Sequence, residues 1–316
     1  MILGNLSGLS EFRLLGFSEI SHLHPLLFVV LLSLYVLTLM ANAVIVFIIN
    51  SDNTLHTPMY FFLTQLSCLD ICYLSVITPT ILENLMVGTV SISKTRCCMA
   101  QLYFFIALVC TECVLLAVMA YDRYVAICTP LHYALTMSRR LCVQLATGSW
   151  LLGFLASVLK VFFISQLSFC GPSVINHFYC DVSPLLNLSC TKRRVAEMVD
   201  FISALFILLI PLSVIIISYI YIISTILLIP KAQNRTKAFS TCASHLAVVI
   251  IFFSATLFMY ARPRSINSRD LNKLVSIIYT IVTPMLNPFI YCLRNREVKD
   301  TLLKALCSRA ALPRVS

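Results

Sequence analysis

Asp122 and Arg123 stand side by side in the stretch MAYDRYVAIC (119–128), directly after an almost wholly apolar run that contains one acid, Glu112. An adjacent carboxylate and guanidinium at the end of an apolar helix can hold each other in one state and separate in another, which is what a two-state switch requires. The plainer reading is a membrane anchor, with Arg123 snorkelling to the headgroups. Asp70 and Glu112 both fall inside apolar runs. An unpaired charge there costs at least about 2.5 kcal/mol, so each needs a partner or a function. A shared sodium ion or a proton would serve, and so would hydrogen bonds from amides such as Asn42 and Asn287. Glu112 precedes Arg123 by eleven residues, roughly three helical turns, which puts the two on nearly the same helix face.

Asn287-Pro288-Phe289-Ile290-Tyr291 joins a helix-disrupting proline to an amide and a phenol. Pro288 frees a backbone carbonyl and permits bending, while Asn287 and Tyr291 can exchange polar partners. His177, Cys180 and Asp181 are of types that ligate copper or zinc, but a disulfide at Cys180 would dismantle the set, and no resident metal is expected. The sequence holds no HExxH, P-loop or GxSxG pattern and its six histidines are dispersed. No catalytic constellation results, so the chain does not read as an enzyme.

The elements that must position these residues are membrane spans. Of 316 residues, 59% are hydrophobic and 11% charged, against about 25% charged in an average soluble domain. Apolar stretches long enough to cross a bilayer recur along the whole chain, which leaves no room for a large soluble domain. Seven are expected: 25–50, 58–86, 98–128, 141–164, 198–229, 239–261 and 274–293. The fold class is therefore an all-α seven-helix membrane bundle. Residues 1–24 precede it, a long polar loop spans about 165–197, and 294–316 form a tail. In 297–307, Val298, Leu302, Leu303 and Leu306 recur at helical spacing away from Lys299, Asp300 and Lys304, the pattern of a short helix lying on the membrane. Cys307 there is a palmitoylation candidate. No cleavable leader is recognisable before Pro25, so the first span is expected to direct its own insertion.

The net charge of +10 comes from basic residues scattered between spans, which suits lipid headgroups rather than nucleic acid. It does not orient the chain, because twelve of the twenty-three Lys and Arg residues fall on one side. The sequons at Asn5 and Asn187 share the side of the amino terminus and are the glycosylation candidates there; the one at Asn234 lies opposite. Most of the fourteen cysteines read as small apolar packers. Cys170, Cys180 and Cys190 in the polar loop, and Cys97 or Cys98 at the start of the third span, could form two bridges, and spacing alone leaves the pairing open.

Five stretches occur in an order that resembles the odorant receptors, within the rhodopsin-like G-protein-coupled receptors. They are HTPMYFFL (56–63), MAYDRYVAIC (119–128), Ser218-Tyr219, KAFSTCASHL (237–246) and PMLNPFIYCLRN (284–295). The first of them resembles the tetrapod-type branch, and the likeness runs over essentially the whole chain. It implies an extracellular amino terminus, a cytoplasmic tail and a place in the plasma membrane, in olfactory cilia. It implies a Cys98–Cys180 bridge and a Cys170–Cys190 bridge, with Cys97 as an extra thiol. Asp122, Arg123 and Tyr124, with Tyr219, Asn287, Pro288 and Tyr291, would form the switch facing a stimulatory olfactory G protein that raises cyclic AMP. Asp70 and Glu112, with Asn42 nearby, match the family's intramembrane acidic site.

The resemblance also places the ligand in the half of the bundle nearer the amino terminus. The implied contacts are Phe105, Ile106, Val109 and Cys110 on the third span, Ser203 and Ile207 on the fifth, Phe253, Thr256, Leu257 and Tyr260 on the sixth, and Thr280 on the seventh. These side chains are apolar or neutral, which suits a small, largely apolar volatile held by burial and one or two hydrogen bonds. Three departures stand out. Phe252-Phe253-Ser254 replaces the family's usual Phe-Tyr-Gly, Ala41 replaces a Gly, and Lys160 puts a charge near the end of the fourth span, where a snorkel to the interface is the expectation. Two rival functions remain at this stage: a receptor for a non-odorant metabolite outside the nose, and an ion transporter or channel using Asp70 and Glu112.

Overall fold

The computed structural model describes residues 11–16, 22–93, 97–169, 174–190, 193–230, 232–260, 276, 280, 281 and 283–294. Five helices are long and apolar enough to cross a bilayer: α1 (His24–Ser51), α2 (Pro58–Val87), α3 (Met99–Cys128), α4 (Arg139–Ser165) and α5 (Arg193–Leu227). Helix α6 (Ala232–Tyr260) contains the shorter apolar segment Cys242–Phe258, and α7 (Thr283–Arg294) is the described part of the seventh span. The chain folds as the expected seven-helix bundle. The expected tail helix, with Cys307, lies outside the described residues, as do Asn5 and Cys170.

Two helices begin earlier than hydropathy suggests. Helix α5 starts at Arg193 and α6 at Ala232, five and seven residues ahead of the apolar runs. Hydropathy marks where lipid begins, whereas helical hydrogen bonding continues into the polar interface wherever helix-competent residues such as Arg194 and Glu197 carry it on. Helix starts follow local rules: Pro58 occupies the first turn of α2, where a missing N–H costs nothing, and the Ser138 hydroxyl caps α4 by accepting from Leu141 N. Gly88 ends α2 with φ 80°, a conformation glycine adopts without strain.

Helix α3 is the axis of the bundle. Its apolar stretch is 78% buried, against 28% for α4 and α5 and 22% for α1, whose other faces look into lipid. Close approach to α4 depends on Gly153, where an added Cβ would run into the Thr111 hydroxyl and the Ala107 carbonyl of α3. The Ser157 hydroxyl donates to the Tyr103 carbonyl at 2.6 Å one turn further along. Such small-residue contacts are how helices associate where lipid offers no hydrophobic contrast.

At the end of the bundle opposite Asp122, the residues before α1 do more than lead into the membrane. Glu11–Leu14 form strand β1, which pairs antiparallel with β2 (Val90–Ser93) and parallel with β3 (Val174–Ile175) of the long loop. Phe12 and Leu14 point inward and are fully buried, and Asn84 of α2 donates to the Leu14 carbonyl at 3.0 Å. The loop is tied down by the Cys98–Cys180 disulfide and ends in a short helix, Val182–Leu188, capped by the Asp181 carboxylate. Exposed Asn187 sits on that helix, at the same end as the disulfide.

Gly153→Ala is expected to destabilise the protein by about 1–3 kcal/mol through overpacking. Gly148→Ala, where a Cβ meets nothing within 4 Å, should instead stabilise by about 0.5–1 kcal/mol. Thermal unfolding of the two detergent-solubilised variants would test the opposite signs.

Candidate functional site

At the cytoplasm-expected end, Asp122 is buried but Arg123 is not its partner. The Tyr133 hydroxyl, on the short helix after α3, donates to Asp122 Oδ1 at 3.0 Å, and among the described residues no ion pair joins Asp122 to Arg123. In this arrangement the acid and the arginine are separated, although the Arg123 charge still acts on the carboxylate. Neighbouring residues project about 100° apart on a helix and do not face each other. Burial, and then the Asp122 charge, push the Tyr133 phenol above its usual range, so it stays protonated and remains a donor. Tyr124 packs edge-on against Tyr221 of α5 at 5.8 Å.

About two turns inward along α3, His245 of α6 sits fully buried between two helices. Its Nε2 lies 3.2 Å from the Leu116 carbonyl of α3, and its Nδ1 lies 2.8 Å from the Tyr219 hydroxyl of α5. A carbonyl can only accept, so Nε2 carries the ring proton and Nδ1 accepts from Tyr219. The result is a directional chain, Tyr219 to His245 to Leu116, locking α5, α6 and α3 together. Sequence reasoning singled out Tyr219 and missed His245, although it stands inside KAFSTCASHL.

In the middle of the bundle the α7 amide of Asn287 donates to both oxygens of Asp70, at 3.2 and 3.1 Å. Asn42 is also buried, but it donates to Thr38 of its own helix and contributes no hydrogen bond to Asp70. Glu112 is near enough for its charge to act on Asp70. Glu112 Oε1, Asn42 Oδ1 and Asn287 Oδ1 are buried acceptors without a hydrogen-bond donor among the described groups. Pro288 is buried in α7, whereas the side chain of Tyr291 lies outside the described residues.

Toward the disulfide end, Phe105, Ile106, Val109 and Cys110 of α3 are buried, as are Phe253, Thr256 and Thr280; Ser203, Ile207 and Leu257 are half-buried. The Tyr260 side chain lies outside the described residues. The hydroxyls of Ser203, Thr256 and Thr280 donate to carbonyls of their own helices, at 3.0, 2.7 and 2.6 Å, which leaves lone pairs to accept from a ligand. Tyr179 of the loop packs on Phe105 at 5.2 Å and shares a 2.7 Å hydrogen bond with Ser276. Gln101, which sequence reasoning passed over, accepts from Cys180 N and donates to Thr80 Oγ1, joining loop, α3 and α2. Ser254, the departure on α6, faces lipid with its hydroxyl turned to Ile251 O, while Phe253 is buried.

One expectation fails in this half. Lys160 does not snorkel: it is 2% exposed and its Nζ lies 3.0 Å from Asp200 Oδ1 of α5. A lone opposite charge on the neighbouring span was the available signal. Of the three metal-ligand types in the loop, Cys180 is in the disulfide, Asp181 caps a helix, and the His177 ring packs on Tyr179 at 4.6 Å. Cys97 is an exposed thiol; Cys190 is disulfide-bonded, although its expected partner Cys170 is not described.

A family model described as "Olfactory receptor" matches residues 31–309. The chain belongs to the olfactory receptor family. The receptor is 55% identical to human Olfactory receptor 6B1 over 98% of its own length and 99% of that protein's. It is 57% identical to human Olfactory receptor 6A2, covering 94% of this chain and 91% of the relative, and 55% identical to rat Olfactory receptor 226, covering 94% and 92%. Members are multi-pass, G-protein-coupled membrane receptors and not enzymes, which disposes of the transporter reading.

Lys160→Ala in the receptor leaves Asp200 without its partner and is expected to cost about 3–5 kcal/mol. The double change Lys160→Met with Asp200→Leu should recover most of that loss. Thermal unfolding of the single and double variants checks both signs.

Proposed function

We propose that the receptor binds a small, largely apolar volatile among the disulfide-end halves of α3, α5, α6 and α7, and that binding raises cyclic AMP through a stimulatory olfactory G protein. In this reading the disulfide end is extracellular, the Asp122 end and the tail are cytoplasmic, and the protein resides in the plasma membrane of olfactory cilia. The sequon asparagines Asn5 and Asn187 then lie where glycosylation takes place.

The observation that carries the reading is the Tyr219–His245–Leu116 chain. The same α5 and α6 that carry Ser203, Ile207, Phe253 and Thr256 at one end are clamped to α3 at the other, about two turns from Arg123. A ligand that draws α5 and α6 together at its own end favours a state in which that clamp opens, α6 swings outward and Arg123 meets the G protein. The ligand can shift the equilibrium only by its differential affinity for the two states. Apolar walls with a few hydroxyl acceptors suit a volatile that carries at most one hydroxyl or carbonyl group.

Asp70, Glu112, Asn42 and Asn287 form the adjoining acidic site. Their unmatched buried oxygens suit a hard cation such as sodium, or a proton on Glu112, either of which supplies the positive partner that a closed bundle needs. Asp70 and Asn287 hold α2 to α7 with or without it.

Cyclic AMP in cells expressing the receptor, measured across a broad odorant panel, tests the reading. Arg123→Ala is expected to abolish the odorant response at equal surface expression, and a full response in that variant would overturn the mechanism. His245→Phe, which removes a buried hydrogen-bonded bridge worth about 1 kcal/mol, should raise ligand-independent cyclic AMP about fivefold.

A further inference from the structure

A cavity of about 460 Å³ opens between α3, α4 and α5 on the lipid side of the bundle. Its outer lips are Leu152, Phe206 and Ile210, all exposed to lipid, and its inner end reaches Cys110 and Ile207, two of the residues expected to touch ligand. Small side chains make the floor: Ala117 on α3, with Gly153 and Ala156 on α4. Pro211 also lines the cavity, and having no N–H it cannot donate to the Ile207 carbonyl one turn earlier. The passage is therefore apolar apart from the Cys110 thiol and the half-buried Tyr121, and it has one backbone acceptor left without its helical donor, at Ile207.

At the disulfide end the loop packs down onto α3. Phe178, Tyr179 and Cys180 of the loop are fully buried over α3, Tyr179 is bonded to Ser276, and β1 lies across the loop. The Lys160–Asp200 pair lies on the same two helices as the lips, one turn beyond Ala156 and two turns before Ile207, and pins α4 to α5 at the head of the gap. Its charges reach Cys110.

We infer that the α3–α4–α5 cavity is a lateral portal through which a small aliphatic alcohol or similar volatile dissolved in the bilayer reaches the binding region at Cys110 and Ile207. The inference rests on the odorant-receptor reading for its biological meaning but not for its test. Each methylene enriches a solute in hydrocarbon about fourfold, so a six-carbon chain is concentrated on the order of a thousandfold in the membrane that bathes the lips. The site's ligand class then follows from the route: apolar enough to dissolve in lipid, narrow enough to pass between Leu152 and Ile210, with a hydroxyl to give to the Ile207 carbonyl.

The test uses the full-length receptor in phosphatidylcholine nanodiscs, irradiated with a diazirine-bearing octanol and mapped by mass spectrometry. Adducts on Cys110 and Ile207 should saturate, fall with excess 1-octanol, and exceed those on Leu155, a lipid-facing residue outside the cavity, at least fivefold. Ala156→Phe fills the floor and Ile210→Trp covers the lips, where extra bulk can spread into lipid without strain. In whichever folds with an unaltered melting profile, the Cys110 adduct should drop at least fivefold. Labelling of Cys110 no greater than that of Leu155 in the unmodified receptor, or an unchanged Cys110 adduct in a folded plugged variant, overturns the portal. Saturable labelling in a receptor that answers no odorant would sink the odorant reading and leave the portal standing; odorant signalling with Cys110 unlabelled would do the reverse.

Discussion

Hydrocarbon offers no hydrogen bonds, so every polar group placed in it must find its partner within the protein. The arrangement of this bundle follows from that constraint. Serine and threonine hydroxyls on lipid-facing surfaces turn back on their own helices, as Ser33, Ser75 and Ser224 do with the carbonyls of Val29, Ile71 and Ile220. Groups that cannot satisfy themselves locally become the bonds between helices. Asp70 draws Asn287 across from α7, Lys160 draws Asp200, and the Trp150 indole of α4 donates to Gln65 of α2 at 3.1 Å.

The same constraint separates structural from switching contacts. The disulfide end is held by covalent and sheet connections, with Cys98–Cys180 and the three short strands packed through Phe12 and Leu14 onto the same core as the helices. The opposite end relies on single hydrogen bonds between neutral or singly charged groups: Tyr133 to Asp122, Tyr219 to His245, and Cys128 to Thr225 across α3 and α5 at 3.2 Å. Bonds of about 1 kcal/mol each are few enough to open together when a ligand favours another helix arrangement. The two ends of the bundle thus differ in kind: one is tied by a disulfide and a sheet, the other by single hydrogen bonds.

Much was legible in the chain itself because membrane insertion writes its rules in composition. Seven apolar runs, the intramembrane acids Asp70 and Glu112, the proline in α7 and the need of Asp70 for some partner could all be read from residue type and spacing. Ordered motifs then indicated a family, and whole-length similarity bears that out. The ligand contacts were less legible, since Ile106 or Val109 in a pocket looks the same as Ile106 or Val109 in a core.

What the sequence determined alone, then, was the class of fold, the spans and the inventory of groups that lipid would not tolerate unpaired. Which groups pair was decided by the tertiary structure, since partners such as Lys160 and Asp200, or Leu116 and His245, are separated by 40 and 129 residues and meet only when the helices pack. The Asp122–Arg123 pair shows the converse: adjacency in sequence placed them on different sides of one helix, and a tyrosine eleven residues on took the carboxylate instead. Periodicity fixes which way a side chain points along its own helix, but only the rotation and tilt of neighbouring helices fix what it points at.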